Sequence, residues 1–264
     1  MTVIALSPLD LVLAGGLVLV LALLSWPLKL RIGPTLLIAA LRTTVQLLLV
    51  GLVLKTLFEN ARFGWISLMA LVMLLFAGRE VMARQKYKLK GWWGFGVGTG
   101  SMFISTFCIT VLVLLVVVSP EPWYAPQYAI PLLGMMLGNT MNGIALAMDR
   151  LLHAAWEKRN MIESRLLLGQ TGAQALEDLR HESMRTGMIP MINAMAAAGL
   201  VSLPGMMTGQ ILSGTPPMEA VKYQILIMFM ITAGTGFGTL TAVWLSSKRL
   251  FDERQRLRLE RLRR

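Results

Sequence analysis

The side chains best suited to chemistry in this sequence are polar groups set inside long apolar runs. Arg42 has Gln46 one helical turn further along the chain, and a guanidinium within a membrane needs a partner or a wet cavity. Further amides stand in two other runs, 122–148 and 186–218. The candidate residues of a translocation path are therefore Arg42, Gln46, Asn139, Asn142, Asn193 and Gln210. Two interpretations stay open: hydrogen bonds between helices, or a path that contacts an anion or a chelated cation.

Metal binding and catalysis have weaker candidates. No Asp or Glu lies deep in an apolar run, so the sequence does not support a carboxylate cage for a hard cation. Both His153 and His181 fall in one polar stretch, where a hydrogen-bonded surface histidine is the ordinary interpretation. Thioethers bind soft cations, but methionine also fills gaps between helices. The thioether candidates are Met135, Met141, Met206 and Met207. No catalytic set of side chains falls at one depth, so we expect no enzyme.

Nucleotide chemistry is also missing from this chain. The sequence has no Gly-x4-Gly-Lys-[Ser/Thr] loop, and its glycine-rich stretch 91–100 lacks the lysine. An active transporter needs an energy source, so any ATP and Mg²⁺ would bind a separate ATPase subunit. We expect no cofactor on this chain.

The composition and the apolar runs indicate which helices carry these residues. The 264 residues carry a net charge of +11, are 55% hydrophobic and have only 15% charged residues. Such a chain has too few charges to cover a soluble domain, and the location of its positive charges decides between a membrane and a nucleic-acid partner. The apolar runs are 11–28, 32–54, 63–78, 91–120, 122–148, 186–218 and 223–247. We predict an all-α membrane protein, a bundle of about seven transmembrane helices, or six if the 16-residue run 63–78 does not span.

The charge distribution predicts the orientation. Seven spans collect 21 of the Lys and Arg residues on one side and three on the other, with Arg42 inside a run. Basic loops stay in the cytoplasm, so we expect the N-terminus outside and the C-terminus inside. We predict that the basic tail 248–264, which is interspersed with leucines, lies on the inner leaflet as an amphipathic anchor and does not bind nucleic acid.

The polar stretch 150–186 is predicted to form a cytoplasmic helical hairpin. It holds balanced charge, and its apolar residues recur at helical spacing. Gly169 to Gly172 interrupt that pattern. The segment from Glu163 to Gly169 resembles, in its Glu and its Gly, the loop through which many ABC permeases engage their ATPase. The candidate coupling residues are Arg159, Glu163, Arg165 and Gly169.

Three separated motifs carry a wider resemblance. They are Leu-Arg-Thr-Thr-Val-Gln-Leu at 41–47, Pro-Leu-Leu-Gly-Met-Met-Leu-Gly-Asn-Thr-Met-Asn at 131–142, and the stretch 203–217 followed by Ala-Val-Lys-Tyr-Gln-Ile at 220–225. Together they resemble the FetB family of bacterial ABC permeases and its plant aluminium-tolerance relatives. The resemblance implies a permease subunit that pairs with a FetA-like ATPase, exports iron and contributes to iron homeostasis and resistance to oxidative stress. Plant relatives have been linked to a nucleotide sugar, so a metal, a chelate and an anionic substrate all stay open.

These observations combine into one expected assembly. Residues 1–264 would form a single permease domain in the bacterial inner membrane, as a homodimer with two ATPase subunits. ATP-driven closure would move the hairpin and open the path alternately to each side. A secondary transporter is the alternative, but it predicts two related halves, and the sequence has no internal repeat.

Overall fold

The computed structural model describes residues 7–30, 32–59 and 62–263, and nearly all of its regular structure is helical. The helices are α1 (Pro8–Leu24), α2 (Gly33–Glu59), α3 (Phe63–Ala83), α4 (Trp93–Met102), α5 (Cys108–Val113), α6 (Pro126–Glu157), α7 (Arg159–Leu167), α8 (Gly172–Ala175), α9 (Glu177–Ala197), α10 (Gly205–Leu212) and α11 (Pro217–Arg249). Two π-helical turns, Phe103–Phe107 and Leu114–Val118, extend α4 and α5 into one rod, and Leu259–Arg261 is a 3₁₀ turn. A two-residue strand β1 (Lys88–Leu89) pairs antiparallel with β2 (Leu262–Arg263).

Five helical segments are long and apolar enough to cross a membrane, which confirms an all-α membrane protein. They are Gly33–Glu59, Phe63–Ala83, Trp93–Val118, Pro126–Glu157 and Pro217–Arg249. The third predicted run, 63–78, was short for a span, but the helix continues to Ala83 and reaches 21 residues. At 17 residues α1 is shorter.

The run 186–218 is not one helix. It contains the second half of α9, an irregular segment and the short helix α10. Gly199 has φ +83°, a left-handed conformation that glycine adopts without steric cost and that a helix cannot continue through. The total of seven spans and their orientation stay predictions.

The described residues divide into two compact units. The first contains α1, α2 and residues 212–214. Its α1 begins at a capping box in which Asp10 N donates to Ser7 Oγ over 3.3 Å and Ser7 N donates to Asp10 Oδ2 over 2.8 Å. At Gly33, a Cβ would lie 2.7 Å from Ser25 Oγ and 2.9 Å from Ala22 O, so only glycine lets α2 begin this close to the end of α1.

In the second unit α6 occupies the centre, and α3, α4, α9 and α11 pack around it. Its helical glycines differ in what they contact. A Cβ at Gly238 on α11 would lie 2.8 Å from Thr140 Cγ2 on α6 and 2.9 Å from Ser105 Oγ. By contrast, a Cβ at Gly96 or Gly138 would have no atom outside its own helix within 4 Å. Small residues at four-residue spacing are therefore helix contacts at some positions only.

The tail folds back over the second unit. Leu250 is fully buried and Leu262 is 5% exposed, and both belong to the main hydrophobic cluster. Lys90 N donates to Arg261 O over 2.8 Å, and Gly172 N donates to the Gln255 side-chain oxygen over 2.8 Å. The leucines of the tail pack on the protein core and tie the α3–α4 loop and α8 to the end of α11. The location of the tail on the inner leaflet stays a prediction.

Candidate functional site

The polar stretch between α6 and α9 is a compact pair of short helices. α6 ends at Glu157, and α7 begins at Arg159. Lys158 between them has φ −95° and ψ 24°, outside helical geometry. Ile162 on α7 and Ala175 and Leu176 near α8 are fully buried in the main hydrophobic cluster. Burial of these apolar side chains holds both short helices against the end of the helix bundle.

A turn projects from this pair of helices. We call residues 166–171 the projecting turn. Gly169 has φ +88°, and its N–H donates to Leu166 O over 3.0 Å, which ends α7. Leu167 and Leu168 are 89% and 83% exposed, although Ile162 before them is fully buried and Leu166 is half-buried. Two neighbouring leucines in water are costly, so such a pair is typical of a docking surface.

Side-chain bonds brace the projecting turn. Arg165 Nη2 lies 2.6 Å from Asp178 Oδ2, and Arg165 Nη1 donates to the carbonyl of Ala175 over 3.3 Å. Thr171 caps α8 and exchanges hydrogen bonds with Gln174. Arg165, which the sequence suggested as a coupling residue, is therefore bonded within the hairpin, while the side chains of Arg159 and Glu163 are exposed.

A second ion pair closes the hairpin nearer the bundle. Arg150 on α6 donates to Glu182 on α9, and this hydrogen bond holds the pKa of the Glu182 carboxyl below its usual value. His153 lies 3.1 Å from Lys86 Nζ through Nε2 and 3.3 Å from Glu157 through Nδ1. It is a hydrogen-bonded surface histidine, as predicted.

The candidate path residues of the second unit lie on several elements. Asn139 Nδ2 donates to the Met135 carbonyl of its own helix over 2.8 Å. Asn142 Oδ1 accepts a hydrogen bond from Arg84 Nη1, a partner the sequence did not suggest. Both amides lie on the exposed face of α6, and Asn193 is exposed on α9. Gln210 lies half-buried on α10.

The first unit carries the other two path candidates. Arg42 and Gln46 lie one helical turn apart on α2, and both side chains are exposed.

The four methionine candidates do not form one cluster. Met207 lines a cavity of about 530 Å³ with Met195, Met228 and Gln224. Met135 and Met206 pack against the smaller hydrophobic cluster, and Met141 packs against the main one. Within the described ranges, no group of three or more His, Cys, Asp and Glu side chains is placed to hold a metal ion.

Buried hydroxyl groups between α6 and α11 are a feature that the sequence did not predict. Thr140 on α6 and Thr235 and Thr239 on α11 are at most 2% exposed, and across the described residues their hydroxyl oxygens have no hydrogen-bond partner. The four-residue spacing of Thr235 and Thr239 beside Gly234 and Gly238 was the available signal. A shift of α11 against α6 could give these hydroxyls new hydrogen-bond partners, which the present packing does not provide.

Comparisons with known proteins match most of the chain to one family. The model of a family described as an uncharacterised protein family, UPF0014, matches residues 8–251. The chain is 39% identical over 236 residues to the UPF0014 membrane protein slr1647 of Synechocystis, covering 89% of this chain and 90% of that one. It is 33% identical over 255 residues to the probable iron export permease protein FetB of Escherichia coli, covering 94% and 93%. The protein ALUMINUM SENSITIVE 3 of Arabidopsis thaliana is 30% identical over 246 residues, covering 92% and 88%. No solved structure matches the chain.

Proposed function

The chain belongs to the UPF0014 family, and from that membership we propose that it is the membrane-spanning permease subunit of an ABC transporter. The bacterial relative named as a probable iron export permease supports iron, free or chelated, as the exported substrate. ATP hydrolysis belongs to a separate FetA-like ATPase. The chain has no phosphate-binding loop of its own.

The observation that carries this proposal is the pair Leu167 and Leu168 on the projecting turn. The two leucines are exposed, yet the turn beneath them is braced by Arg165 and anchored by Ile162. An exposed apolar pair on a braced turn fits a groove on a soluble partner. Because α7 is joined to α6 through a single residue, force on the turn would pass directly to the membrane helix.

Two copies of the permease complete the path in this proposal. The amides of Asn139 and Asn142 lie on an exposed face of α6, where lipid would offer no partner to the amide atoms that are not already bonded to Met135 and Arg84. In a dimer with water between the α6 faces of the two copies, these amide atoms would bond to water and not be exposed to lipid. The segments with most of the Lys and Arg would face the cytoplasm, which places the projecting turn beside the ATPase.

An anionic substrate such as a nucleotide sugar is the second candidate. The observations that favour it are Arg42 within a span and the guanidinium of Arg84 beside Asn142. Both cations could attract a phosphate.

Copurification tests the ATPase partnership. We expect tagged wild-type permease to retain an ABC ATPase from its own cell in mild detergent, and Leu167→Asp with Leu168→Asp to lose it. Gln170→Ala, within the same turn, is the matched control and should retain the ATPase. If the Asp variant folds and keeps the ATPase, the docking role of the turn is wrong.

Vesicle assays separate the substrates. In vesicles that contain the permease and its ATPase, we expect iron to stimulate ATP hydrolysis and to move across the membrane. Stimulation by a nucleotide sugar and not by iron would replace the metal proposal with the anionic one.

A further inference from the structure

A basic pocket opens where α4 begins and α11 ends. It has a volume of about 730 Å³ and lies among Trp93, Lys248, Arg249, Arg254 and Arg261, with the tail forming its floor. Trp93, like its neighbour Trp92, is more than half exposed, which is typical of tryptophan at a membrane–water boundary. The pocket is therefore placed at the depth of lipid headgroups.

The charges of the pocket do not balance. Five Lys and Arg side chains line it against Asp252 and Glu253, which leaves +3. Asp252 is already paired with Arg256 at 2.9 Å and with Arg258 at 3.2 Å. Among the described residues, Lys248 and Arg254 have no carboxylate partner. The pocket can therefore accept an anion without first breaking an ion pair.

Aromatic rings hold two of these cations in place. Lys248 Nζ lies 3.7 Å from the centre of the Trp244 ring, and Arg249 Cζ lies 4.4 Å from the centre of the Trp93 ring. Arg261 is fixed by its bonds to the carbonyls of Arg249 and Phe251 over 2.9 and 3.0 Å. Cations that are held before binding lose less entropy when an anion arrives.

An exposed apolar stripe leads into the pocket along α11. Phe237, Leu240 and Trp244 lie on one face of the helix and are 60%, 47% and 46% exposed. Lys248 is the next residue of the same face, at the edge of the pocket. The stripe lies within a membrane-spanning segment and gives acyl chains a surface directly next to the cations.

We propose that this pocket binds the phosphate of an anionic phospholipid, with its acyl chains against the stripe on α11. A lipid headgroup and a soluble phosphate compound would both bind these cations through a phosphate. The apolar stripe beside the cations favours the lipid. Because the tail forms the floor, the bound lipid would hold the tail, α4 and α11 together. The proposal needs only the membrane location and does not depend on the transport function.

Native mass spectrometry of the full-length protein in detergent tests the proposal. Phosphatidylglycerol and phosphatidylcholine would be titrated separately against wild type and against Lys248→Ala with Arg254→Ala. We expect phosphatidylglycerol to bind more tightly, and the double variant to lose about tenfold or more of that affinity. Lys158→Ala with Arg185→Ala removes the same charge from exposed positions elsewhere and should bind like wild type.

Three results would overturn the proposal. They are equal binding of the two lipids, equal loss in both double variants, and binding of free glycerol phosphate as tight as that of phosphatidylglycerol. Lys248→Arg with Arg254→Lys keeps the charge and should keep the preference, which separates lost binding from a folding defect.

A photoreactive phosphatidylglycerol should crosslink to peptides that contain Trp93, Leu245 or Arg254, and crosslinking only elsewhere would also contradict the site.

Discussion

Gly187 on α9 and Gly143 on α6 bring their backbones into direct contact. A Cβ at Gly187 would lie 2.7 Å from the Gly143 carbonyl oxygen and 2.9 Å from Ala147 Cβ. The first is a backbone atom and the second is the only side-chain carbon of an alanine, so neither can move away without moving the backbone of α6. This contact lies at the point where the helices of the hairpin enter the main helix bundle.

Gly187→Ala should therefore destabilise the protein by roughly 1–3 kcal/mol, through overpacking. Thermal unfolding of the purified protein in detergent measures the change. Gly138→Ala on α6 is the matched control, because no atom outside its own helix lies within 4 Å of the added methyl group. Equal unfolding temperatures for the two variants would contradict the contact.

Arg165→Ala should loosen the projecting turn. The variant loses the contacts to Asp178 and to the Ala175 carbonyl, and a partly exposed pair of this kind contributes about 0.2–1 kcal/mol. We expect faster hydrogen exchange, by a few-fold, in residues 166–171, and weaker retention of the ATPase. Lys222→Ala breaks the exposed pair with Glu219 and serves as the control. Unchanged exchange in the turn would show that Arg165 does not brace it.

Arg84 and Asn142 should behave as one functional unit. If Arg84 orients the Asn142 amide, Arg84→Ala and Asn142→Ala should slow export to a similar degree, and the double variant should be little slower than either. Transport rates in vesicles provide the double-mutant cycle, with an expected coupling of about 1 kcal/mol or more. Additive losses would mean that the two side chains act separately.

Arg42→Ala should abolish or strongly reduce export if this guanidinium lines the path, because an anion or a chelate would lose its charged partner. Arg42→Lys keeps the charge and should retain part of the rate. Insertion into the membrane and ATPase binding must be normal in both variants. Normal export by Arg42→Ala would remove Arg42 from the path.

The tail should loosen in acid. Hydrogen bonds from the backbone N–H groups of Arg256 and Arg254, with the Arg256 side chain, lower the pKa of Asp252 from 3.8. Its stabilising effect is therefore complete above about pH 4 and is lost as the pH falls through the lowered pKa.

Hydrogen exchange of residues 250–263, corrected for intrinsic rates, measures this effect. Asp252→Asn should loosen the tail at neutral pH and remove its acid dependence, while Glu253→Gln should behave like wild type. A tail in Asp252→Asn as protected as that of the wild type would contradict the role of this carboxylate.

The helices were largely predictable from the sequence, because an apolar run in lipid must satisfy its backbone groups within itself. The charge-free run 63–78 is short for a membrane span, and in the structure the helix continues past Arg79 to Ala83. The interruption after Ala197 was not predicted, since the signals at Gly199 and Pro204 were compatible with a kinked helix.

The candidate site was only partly predictable. The sequence located the segment from Glu163 to Gly169, but not the exposure of Leu167 and Leu168 or the bond from Arg165 to Asp178. These depend on how Ile162 and Leu176 pack against distant helices. The tail shows the same limit: its basic and leucine-rich pattern fits a lipid anchor and a folded strap equally well.

The sequence by itself determined that this is a multi-pass helical membrane protein of the UPF0014 family, because hydropathy and local motifs are properties of short segments. Only the tertiary structure decided which glycines meet another helix, which leucines face water and where the basic tail lies. Those outcomes depend on the free energy of contacts between residues far apart in the chain, as between Gly143 and Gly187, and no local pattern contains that energy.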